Sequence, residues 1–330
     1  MGWLPVPIGN LNRQTPEEIW NSPAAQAIRA SIHDGSYRFC SRKHCAHLSS
    51  GTLPRVEEVR HARLKADAAT RSLRLERGPE KLVLAHDRSC TLSCPSCRSR
   101  VIAANAAEAA GLNRMADDVL LPLARDARAV RVTSSGDPFG SRHFRHVLKG
   151  MARADYPRLT LEIQTNGVLL TPAAWAEFDL AGRTALVAVS LDAAVPETYA
   201  VVRRGGSFRR LMQNLAFLGA RRRAGEIGHL RLDCVVQALN FREMPALVAI
   251  GAELGVDAVK FQMIRNWNTW SAAEFAAHDI GSPRHPEHDA FLDVLSDPAL
   301  HAPEVHFWGM AGALRAAAER SDLVRRAIRQ

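Results

Sequence analysis

The length and composition of this chain argue against a membrane-spanning and a disulfide-stapled protein. It has 330 residues, of which 47% are hydrophobic, enough for one large core with a small appendage. No apolar run approaches the roughly 18–20 residues that a bilayer span requires. The start, Met-Gly-Trp-Leu-Pro, has neither a basic nor an apolar targeting region. We therefore expect a cytoplasmic protein without a membrane segment, whose thiols stay reduced.

The net charge of +9 is compatible with an acidic partner, but it does not by itself indicate one. The densest basic cluster, Arg221–Arg223, ends a helical pattern, where cations complement the negative end of the helix dipole. Capping is the simpler explanation for this cluster. Nucleic acid is therefore not an expected partner.

The N-terminal segment, residues 1–75, carries two cysteines close together. Cys40 and Cys45 follow an aromatic turn, and no packing role for them is evident from the pattern. With His44 or His47 they could form a zinc site or part of an iron–sulfur site. The sequence therefore indicates a second metal site here, beside the alternative of two ordinary thiols.

Residues 80–265 alternate between strand and helix patterns, and this alternation favours a parallel sheet with crossover helices. The predicted strands are 81–86, 129–133, 159–164, 185–191, 229–237 and 258–263. The predicted helices are 98–125 in one or two pieces, 143–154, 172–180, 207–224 and 241–254. The expected class is α/β, and the carboxyl ends of the strands are the expected site.

The loop after the first predicted strand holds the most informative motif, Cys90-x3-Cys94-x2-Cys97. Three thiolates on one loop can bind three irons of a [4Fe–4S] cluster and leave the fourth iron open to a small molecule. A structural zinc site with His86 as fourth ligand is the alternative. Zinc is less favoured, because such sites usually show two CxxC pairs. The loop therefore indicates an iron–sulfur site.

Further segments follow the predicted strands in order, and together with the cysteine loop they are similar to motifs of the radical S-adenosylmethionine (SAM) superfamily. The segments are Ser134-Ser-Gly-Asp-Pro138, Gln164-Thr-Asn-Gly167, Val189-Ser-Leu-Asp192 and Tyr199–Phe208. One position departs from the pattern. The residue before the last cysteine is aromatic in most relatives and packs on the adenine, but here it is Ser96.

The resemblance implies an open (β/α)6 partial TIM barrel with bound [4Fe–4S] cluster and SAM. Reductive cleavage of SAM would yield a 5′-deoxyadenosyl radical that abstracts hydrogen from a substrate, with flavodoxin or ferredoxin as the electron donor. The implied roles are cluster binding by Cys90, Cys94 and Cys97, contact with the SAM amino group by Ser135, Gly136 and Asp137, pairing of Arg203 with the SAM carboxylate, and lining of the ribose and methionine side by Gln164, Asn166, Ser190 and Asp192.

The N-terminal segment also resembles part of a SPASM or twitch domain, which binds auxiliary clusters and usually follows the barrel. The chain has six cysteines. Three are assigned to the loop, so a second cluster ligated by four cysteines is excluded within one chain. Cys234 lies in an alternating apolar run and is most simply a small buried side chain. Cys40 and Cys45 would then need a further ligand.

The residues after 265 form an α-helical C-terminal extension, so the predicted domains are 1–75, 76–265 and 266–330. The substrate is left open between a small molecule or carbohydrate, with Trp267 and Trp270 as stacking surfaces, and a peptide. No stretch resembles a leader-peptide recognition domain, and this slightly favours the small molecule or sugar. A regulatory iron–sulfur protein and a zinc-structured binding module are alternatives from other classes. The catalytic groups are not predicted.

Overall fold

The structure is a computed structural model that describes residues 7–41, 45, 47–48, 51–59, 62–133 and 135–328, with side chains up to residue 321. It divides into two compact units, one of residues 1–81 and 114–127, the other of residues 82–113 and 128–330. The predicted domain limits at residues 75 and 265 stay predictions. No helix in the described residues is both long and apolar enough to cross a bilayer.

Short helices and hydrogen-bonded turns build the first unit. Helix α1 (Pro16–Trp20) starts at a capping box in which Thr15 and Glu18 satisfy each other's backbone N–H groups. Helices α2 (Pro23–His33) and α3 (Ala62–Thr70) follow. The Asn21 side chain donates to the Leu75 carbonyl at 2.9 Å, so the two ends of this stretch are tied together.

Seven consecutive strands form one sheet in the order β1 to β7. Their bounds are β1 Lys81–Leu84, β2 Ala129–Val132, β3 Thr160–Thr165, β4 Thr184–Ser190, β5 Leu230–Val236, β6 Ala258–Met263 and β7 Val305–Trp308. Each pair from β2 to β7 is parallel. The carboxyl ends of the strands therefore lie along one edge, as the α/β prediction required.

Helices connect the strands, as parallel pairing demands. Their bounds are α4 Ala106–Met115, continued by a π turn at Ala116–Leu120, α5 Leu121–Ala124, α6 Arg142–Gly150, α7 Pro172–Glu177, α8 Pro196–Val202, α9 Phe208–Arg223, α10 Met244–Leu254, α11 Ala272–Ala276, α12 His288–Leu295 and α13 Ala311–Ile328. Leu211, Leu215 and Leu218 of α9 are spaced three and four residues apart and are fully buried. The core lies between such stripes and the strands.

Two predicted features differ from the structure. The helix expected from Arg98 begins at Ala106 instead. Asn105 and Glu108 form a reciprocal cap, each side chain accepting from the other's backbone N–H at 2.9 Å, and this fixes the start. The C-terminal extension is not purely α-helical, because β7 adds to the edge of the sheet beside β6. It has only four residues, too few for a clear periodic pattern.

Candidate functional site

The three cysteines of the loop lie directly after β1, at the carboxyl edge of the sheet. The Cys90 N–H donates to the Ile102 carbonyl at 2.8 Å, which closes the loop on itself. The Cys97 N–H donates to the Cys94 carbonyl at 2.9 Å, so these two cysteines share one tight turn. Cys94 is buried, and Cys90 and Cys97 are partly exposed.

Each of the three sulfur atoms accepts from an N–H group. The Cys90 Sγ accepts from the Leu92 backbone at 3.4 Å and from the Asn166 amide at 3.7 Å. The Cys97 Sγ accepts from Arg98 at 3.4 Å, and the Cys94 Sγ accepts from Arg203 at 3.8 Å. Hydrogen bonds to sulfur favour the thiolate and tune iron–sulfur clusters. These hydrogen bonds would stabilise the three sulfurs as thiolates if they bound a metal, and their role as ligands stays a prediction.

Burial acts in the opposite direction on two of the thiols. It raises the pKa of Cys90, and it also raises the pKa of Cys94, which Arg203 partly offsets. Without a metal these groups hold their protons at neutral pH, and metal binding releases them. Three soft sulfur donors on one loop fit an iron–sulfur cluster.

Two buried polar side chains brace the cysteine loop. The Asp87 carboxylate accepts from the Ser89 N–H at 2.9 Å and from the Ser141 hydroxyl at 2.5 Å. Arg98 donates to the Arg88 and Ser135 carbonyls, both at 2.6 Å. Burial alone would raise the pKa of Asp87, but the bonds from Ser141 and Ser89 lower it below its usual value. Neither Asp87 nor Arg98 was among the residues predicted for this site.

The segment after β2 packs tightly against the cysteine loop. A Cβ built on Gly136 would lie 2.6 Å from the carbonyl oxygens of both Asp87 and Ser89, so only glycine fits there. Ser135 donates its hydroxyl to the Ala85 carbonyl at 2.7 Å. Ser135 is therefore tied to the chain before the cysteines through its hydroxyl, and Gly136 packs directly on the loop backbone. Their contact with SAM stays a prediction.

Asp137 links the segment after β2 to the end of β3 through hydrogen bonds. Its side chain is fully buried. One carboxylate oxygen accepts from the Phe139 and Gly140 N–H groups, both at 3.0 Å. The other accepts from the Thr165 hydroxyl at 2.7 Å and the Asn166 N–H at 2.9 Å. Asp137 therefore positions Asn166 beside Cys90, and its own contact with SAM stays a prediction.

Arg203 and Asp192 form a buried ion pair beside Cys94, with 2.8 Å between Nε and Oδ2. Asp192 has a φ of 60°, a strained left-handed conformation at the end of β4, and it accepts from the Val235 N–H at 2.8 Å. Burial raises the pKa of Asp192 despite the attraction of Arg203. Burial alone would lower the pKa of Arg203, but Asp192 and Cys94 raise it, so the guanidinium stays charged.

Arg204, the next residue in the chain, holds the cysteine loop in place through three hydrogen bonds. The Ser93 N–H donates to the Arg204 carbonyl at 3.0 Å, and the Arg204 side chain donates to the Ser93 hydroxyl at 3.0 Å. Arg204 also donates to the Ser99 carbonyl at 2.9 Å. The structure thus brings Arg203 to the cysteines, and its predicted pairing with the SAM carboxylate stays a prediction.

Gln164 and Ser190 sit at ladder positions where their strands end. Gln164 is in register with Ala188, and Ser190 is in register with Asp233 of β5. Asp233 pairs with Lys260 at 3.1 Å and with Arg231 at 2.6 Å. Burial lowers the pKa of Lys260, although Asp233 opposes this. A mostly buried group of charged side chains therefore lies beside Ser190 in the sheet, and the SAM contacts of Gln164 and Ser190 stay predictions.

The candidate second site is only partly described. Cys40 and Cys45 are both partly exposed, and His44 lies outside the described residues. His47 lies 3.2 Å from the Thr52 hydroxyl through Nδ1. Among the described residues, Cys90, Cys94 and Cys97 included, no three His, Cys, Asp or Glu side chains are arranged around one metal position. The second site stays a prediction, whereas Cys234 is confirmed as a buried side chain, 2% exposed.

Comparison with known proteins finds one family model and several solved structures. Residues 3–46 match the SPASM iron–sulfur cluster-binding domain. The Streptococcus suis SuiB structure bound to S-adenosylmethionine is 16% identical, covers 88% of this chain and 64% of SuiB, and has a TM-score of 0.50. SuiB bound to its precursor peptide SuiA is 14% identical, with coverages of 90% and 64% and a TM-score of 0.48.

A third structure, anSMEcpe with bound AdoMet and Kp18Cys peptide, is 15% identical, covers 69% of this chain and 63% of that chain, and has a TM-score of 0.42. No curated protein sequence matches this chain. The chain spans less than two thirds of the length of each of these solved structures.

These findings define the class of the fold. The SuiB structure with bound S-adenosylmethionine shares its partial-barrel fold with this chain. The predicted resemblance is confirmed in two places, the parallel sheet and the N-terminal SPASM segment. The match to residues 3–46 also confirms that this segment precedes the barrel in the chain.

Proposed function

We propose that this protein is a radical SAM enzyme whose [4Fe–4S] cluster is held by Cys90, Cys94 and Cys97. The observation that carries the proposal is the N–H donor at each of the three sulfurs, on one loop at the carboxyl edge of β1. A zinc-structured binding module explains the cysteines less well, because it does not require the buried Arg203 beside them.

The bound group would supply one-electron cleavage of SAM, giving methionine and a 5′-deoxyadenosyl radical. Arg203 would pair with the SAM carboxylate, because its planar guanidinium suits a carboxylate and it already lies beside Cys94. Asn166 would donate a hydrogen bond to the Cys90 sulfur. Ser135, Gly136 and Asp137 would shape the amino-group side, with Gln164, Ser190 and Asp192 toward the ribose and methionine. A flavodoxin or ferredoxin would donate the electron.

We propose a peptide as the substrate. Large apolar side chains lie exposed after four consecutive strands, at the edge where the site is. This apolar rim consists of Val195 and Val201 after β4, Leu239 after β5, Trp267 after β6 and Trp308 at the end of β7, each between 40% and 62% exposed. Exposed apolar side chains at this edge, of which Val201 and Leu239 line one cavity with Ser96, would suit contact with a polypeptide. A sugar would need mainly polar contacts.

SuiB, which shares the fold, is a protein solved with its precursor peptide. This supports the peptide above the small molecule or carbohydrate that the sequence slightly favoured. The tryptophans that suggested sugar stacking have separate environments, since Trp267 is 62% exposed whereas Trp270 stacks on His278 with 4.4 Å between ring centroids.

The cluster assignment is tested by comparing two cysteine variants. Cys94→Ala removes one of the three loop thiols, and Cys234→Ala removes a buried thiol outside the loop. After anaerobic reconstitution we expect Cys94→Ala to lose the loop cluster and 5′-deoxyadenosine formation, while Cys234→Ala keeps both. Cleavage at the unmodified rate in Cys94→Ala would refute the assignment.

A further inference from the structure

Charged side chains cross one face of the sheet, within the strands themselves. This charged row consists of Arg131 in β2, Glu162 in β3, Arg231 and Asp233 in β5, and Lys260 in β6. The residues next to them along the same strands are apolar and buried, namely Val130, Ile163, Leu232 and Phe261. Successive side chains of a strand point to opposite faces, so the charged row shares the face opposite to these apolar residues.

The charged row faces one shared space, although its strands are far apart in the sheet order. Burial lowers the pKa of Lys260, Asp233 opposes this, and the charges of Arg231 and Arg131 lower the pKa further. Strands β2 and β6 are four places apart in the sheet, which would separate them by about 19 Å if the sheet were flat. Because Arg131 still acts on Lys260, the sheet curls, and the charged row lines its inner face.

The ion pairs within the charged row leave an excess of one positive charge. Arg131 donates to the Glu162 carboxylate at 2.7 Å. Asp233 serves two cations, because it accepts from Arg231 at 2.6 and 3.0 Å and lies 3.1 Å from the Lys260 Nζ. Three cations thus share two carboxylates. The Asp233 and Lys260 side chains are only 6% and 12% exposed, and a mostly buried cation without a counter-ion of its own is costly.

Lys260 is the member of the charged row that lies beside the apolar rim. Its ammonium can donate three hydrogen bonds. Among the described residues its attractive contacts are the Asp233 carboxylate and the Trp308 ring, whose centroid lies 4.9 Å from Nζ. Trp308 belongs to the apolar rim and is 43% exposed. A peptide that contacts the rim at Trp308 could therefore place a side chain against the Lys260 ammonium.

We propose that the charged row binds a carboxylate of the peptide substrate, with Lys260 as its main contact. The inference rests on the proposed function and names the feature by which this site selects its substrate. A carboxylate supplies the missing counter-charge, and hydrogen bonds between an ammonium and a carboxylate are stronger than those between neutral groups. A lysine side chain would add to the excess instead. The carboxylate belongs either to an acidic side chain or to the peptide C-terminus.

The test compares the affinities of three probe peptides for the reconstituted protein by calorimetry. The first is acetyl-Gly-Leu-Glu-Leu-Gly-amide, and the second has Gln in place of Glu and no carboxylate. The third has Gln and a free C-terminal carboxylate. We expect one of the two carboxylate peptides to bind at least about fivefold more tightly than the second peptide. This ratio is the carboxylate preference, and the tighter of the two peptides identifies the source of the carboxylate.

Two variants of the charged row should change the carboxylate preference in opposite directions. Lys260→Met removes the ammonium and keeps a side chain of similar length, so the preference should vanish. Asp233→Asn removes the carboxylate that competes for Lys260, so the preference should rise at least about twofold, which misfolding cannot produce. Lys149→Met is the control, because Lys149 is 59% exposed and pairs with Glu177 at the surface. Its carboxylate preference should equal that of the unaltered protein.

Formation of 5′-deoxyadenosine, assayed on the same unaltered protein, keeps the two proposals apart. Absence of SAM cleavage would overturn the proposed function together with the inference that rests on it. If the protein cleaves SAM but binds all three peptides equally, or binds none of them, the inference alone is overturned. A carboxylate preference that persists in Lys260→Met would also overturn it, since the carboxylate would then bind elsewhere.

Discussion

The carboxylate of Asp192 lies 2.8 Å from the guanidinium of Arg203, and the two side chains are only 3% and 12% exposed. The same guanidinium lies 3.8 Å from the Cys94 Sγ through Nη1. One positive group is therefore shared between a carboxylate that the fold provides and the sulfur that we assign to the cluster. SAM would bring a second carboxylate to this position.

Replacing Arg203 should affect stability and SAM binding together. Arg203→Met leaves Asp192 buried without its partner, and breaking such a pair costs about 3–5 kcal/mol. We expect a lower free energy of unfolding by urea denaturation and no SAM binding that calorimetry can detect. Arg242→Met is the control, since its pair with Glu287 is exposed and contributes under about 1 kcal/mol. Equal stability of the two variants would contradict the account.

Removing one oxygen acceptor from Asp137 should disturb the loop indirectly. Asp137→Asn places an amide donor against two groups that now donate to the carboxylate, at a cost of about 1–3 kcal/mol. Asn166 then shifts from Cys90, and iron retention should fall during gel filtration of the reconstituted protein. Asp155→Asn, at an exposed position, should retain iron normally. Unchanged stability of Asp137→Asn would show that the hydrogen bonds to the Asp137 carboxylate contribute little.

Gly136 should not tolerate a side chain. The Cβ of Gly136→Ala would meet two carbonyl oxygens at 2.6 Å, both on backbone that cannot move without displacing the cysteine loop. We expect a lower melting temperature and poor cluster incorporation, judged by visible absorbance. Gly312→Ala is the matched control, because nothing lies within 4 Å of its Cβ and it lies in helix α13. The proposed close packing is wrong if both variants reconstitute equally.

Stability should fall in mild acid because of His86. The His86 and His143 rings meet with 2.6 Å between their Nε2 atoms, and burial lowers the pKa of His86 although Asp87 opposes this. The folded protein therefore prefers a neutral His86. Its contribution is fully present above about pH 6.5, the unfolded value, and is lost as pH falls from there through the lower folded pKa.

Urea midpoints of the apoprotein between pH 7.5 and 5 measure this effect. His86→Gln should flatten the decline, whereas His301→Gln, at an exposed position, should leave it unchanged. A decline of the same size in His86→Gln would assign it to other groups.

The second metal site is tested by removing both thiols of the SPASM segment. The double variant Cys40→Ser with Cys45→Ser should lose any iron or zinc beyond the loop cluster while keeping SAM cleavage measurable. Metal content per chain, determined by mass spectrometry after reconstitution, decides the matter. Identical metal content in the double variant and the unaltered protein would show that these cysteines bind no metal.

The strands could be predicted because apolar runs and alternation mark them directly, and β6 was placed at the observed residues 258–263. The cysteine loop was also evident from its spacing. The braces Asp87 and Arg98 were not, since their partners include Ser141 and Ser135, 54 and 37 residues away, and no local pattern reports such contacts. Trp270 was considered as a stacking surface, but that it lines one cavity with Ser96 was not evident, because only the fold brings the two residues together.

The helix predicted to begin at Arg98 was wrong for a different reason, because here a local pattern was present but misleading. Local composition favoured helix, but residues 98–105 return the chain so that Ile102 pairs with Cys90. A functional loop therefore overrode local propensity, a common outcome where a site needs a particular backbone path.

The central claim is that the loop of Cys90, Cys94 and Cys97 holds a [4Fe–4S] cluster that cleaves SAM. Its most direct test is anaerobic reconstitution, with iron, sulfide and zinc measured on the same sample that is reduced and assayed for 5′-deoxyadenosine. We predict about four irons for the loop cluster, more if the SPASM segment also binds metal, together with 5′-deoxyadenosine formation. Zinc in place of iron, without SAM cleavage, would contradict the account.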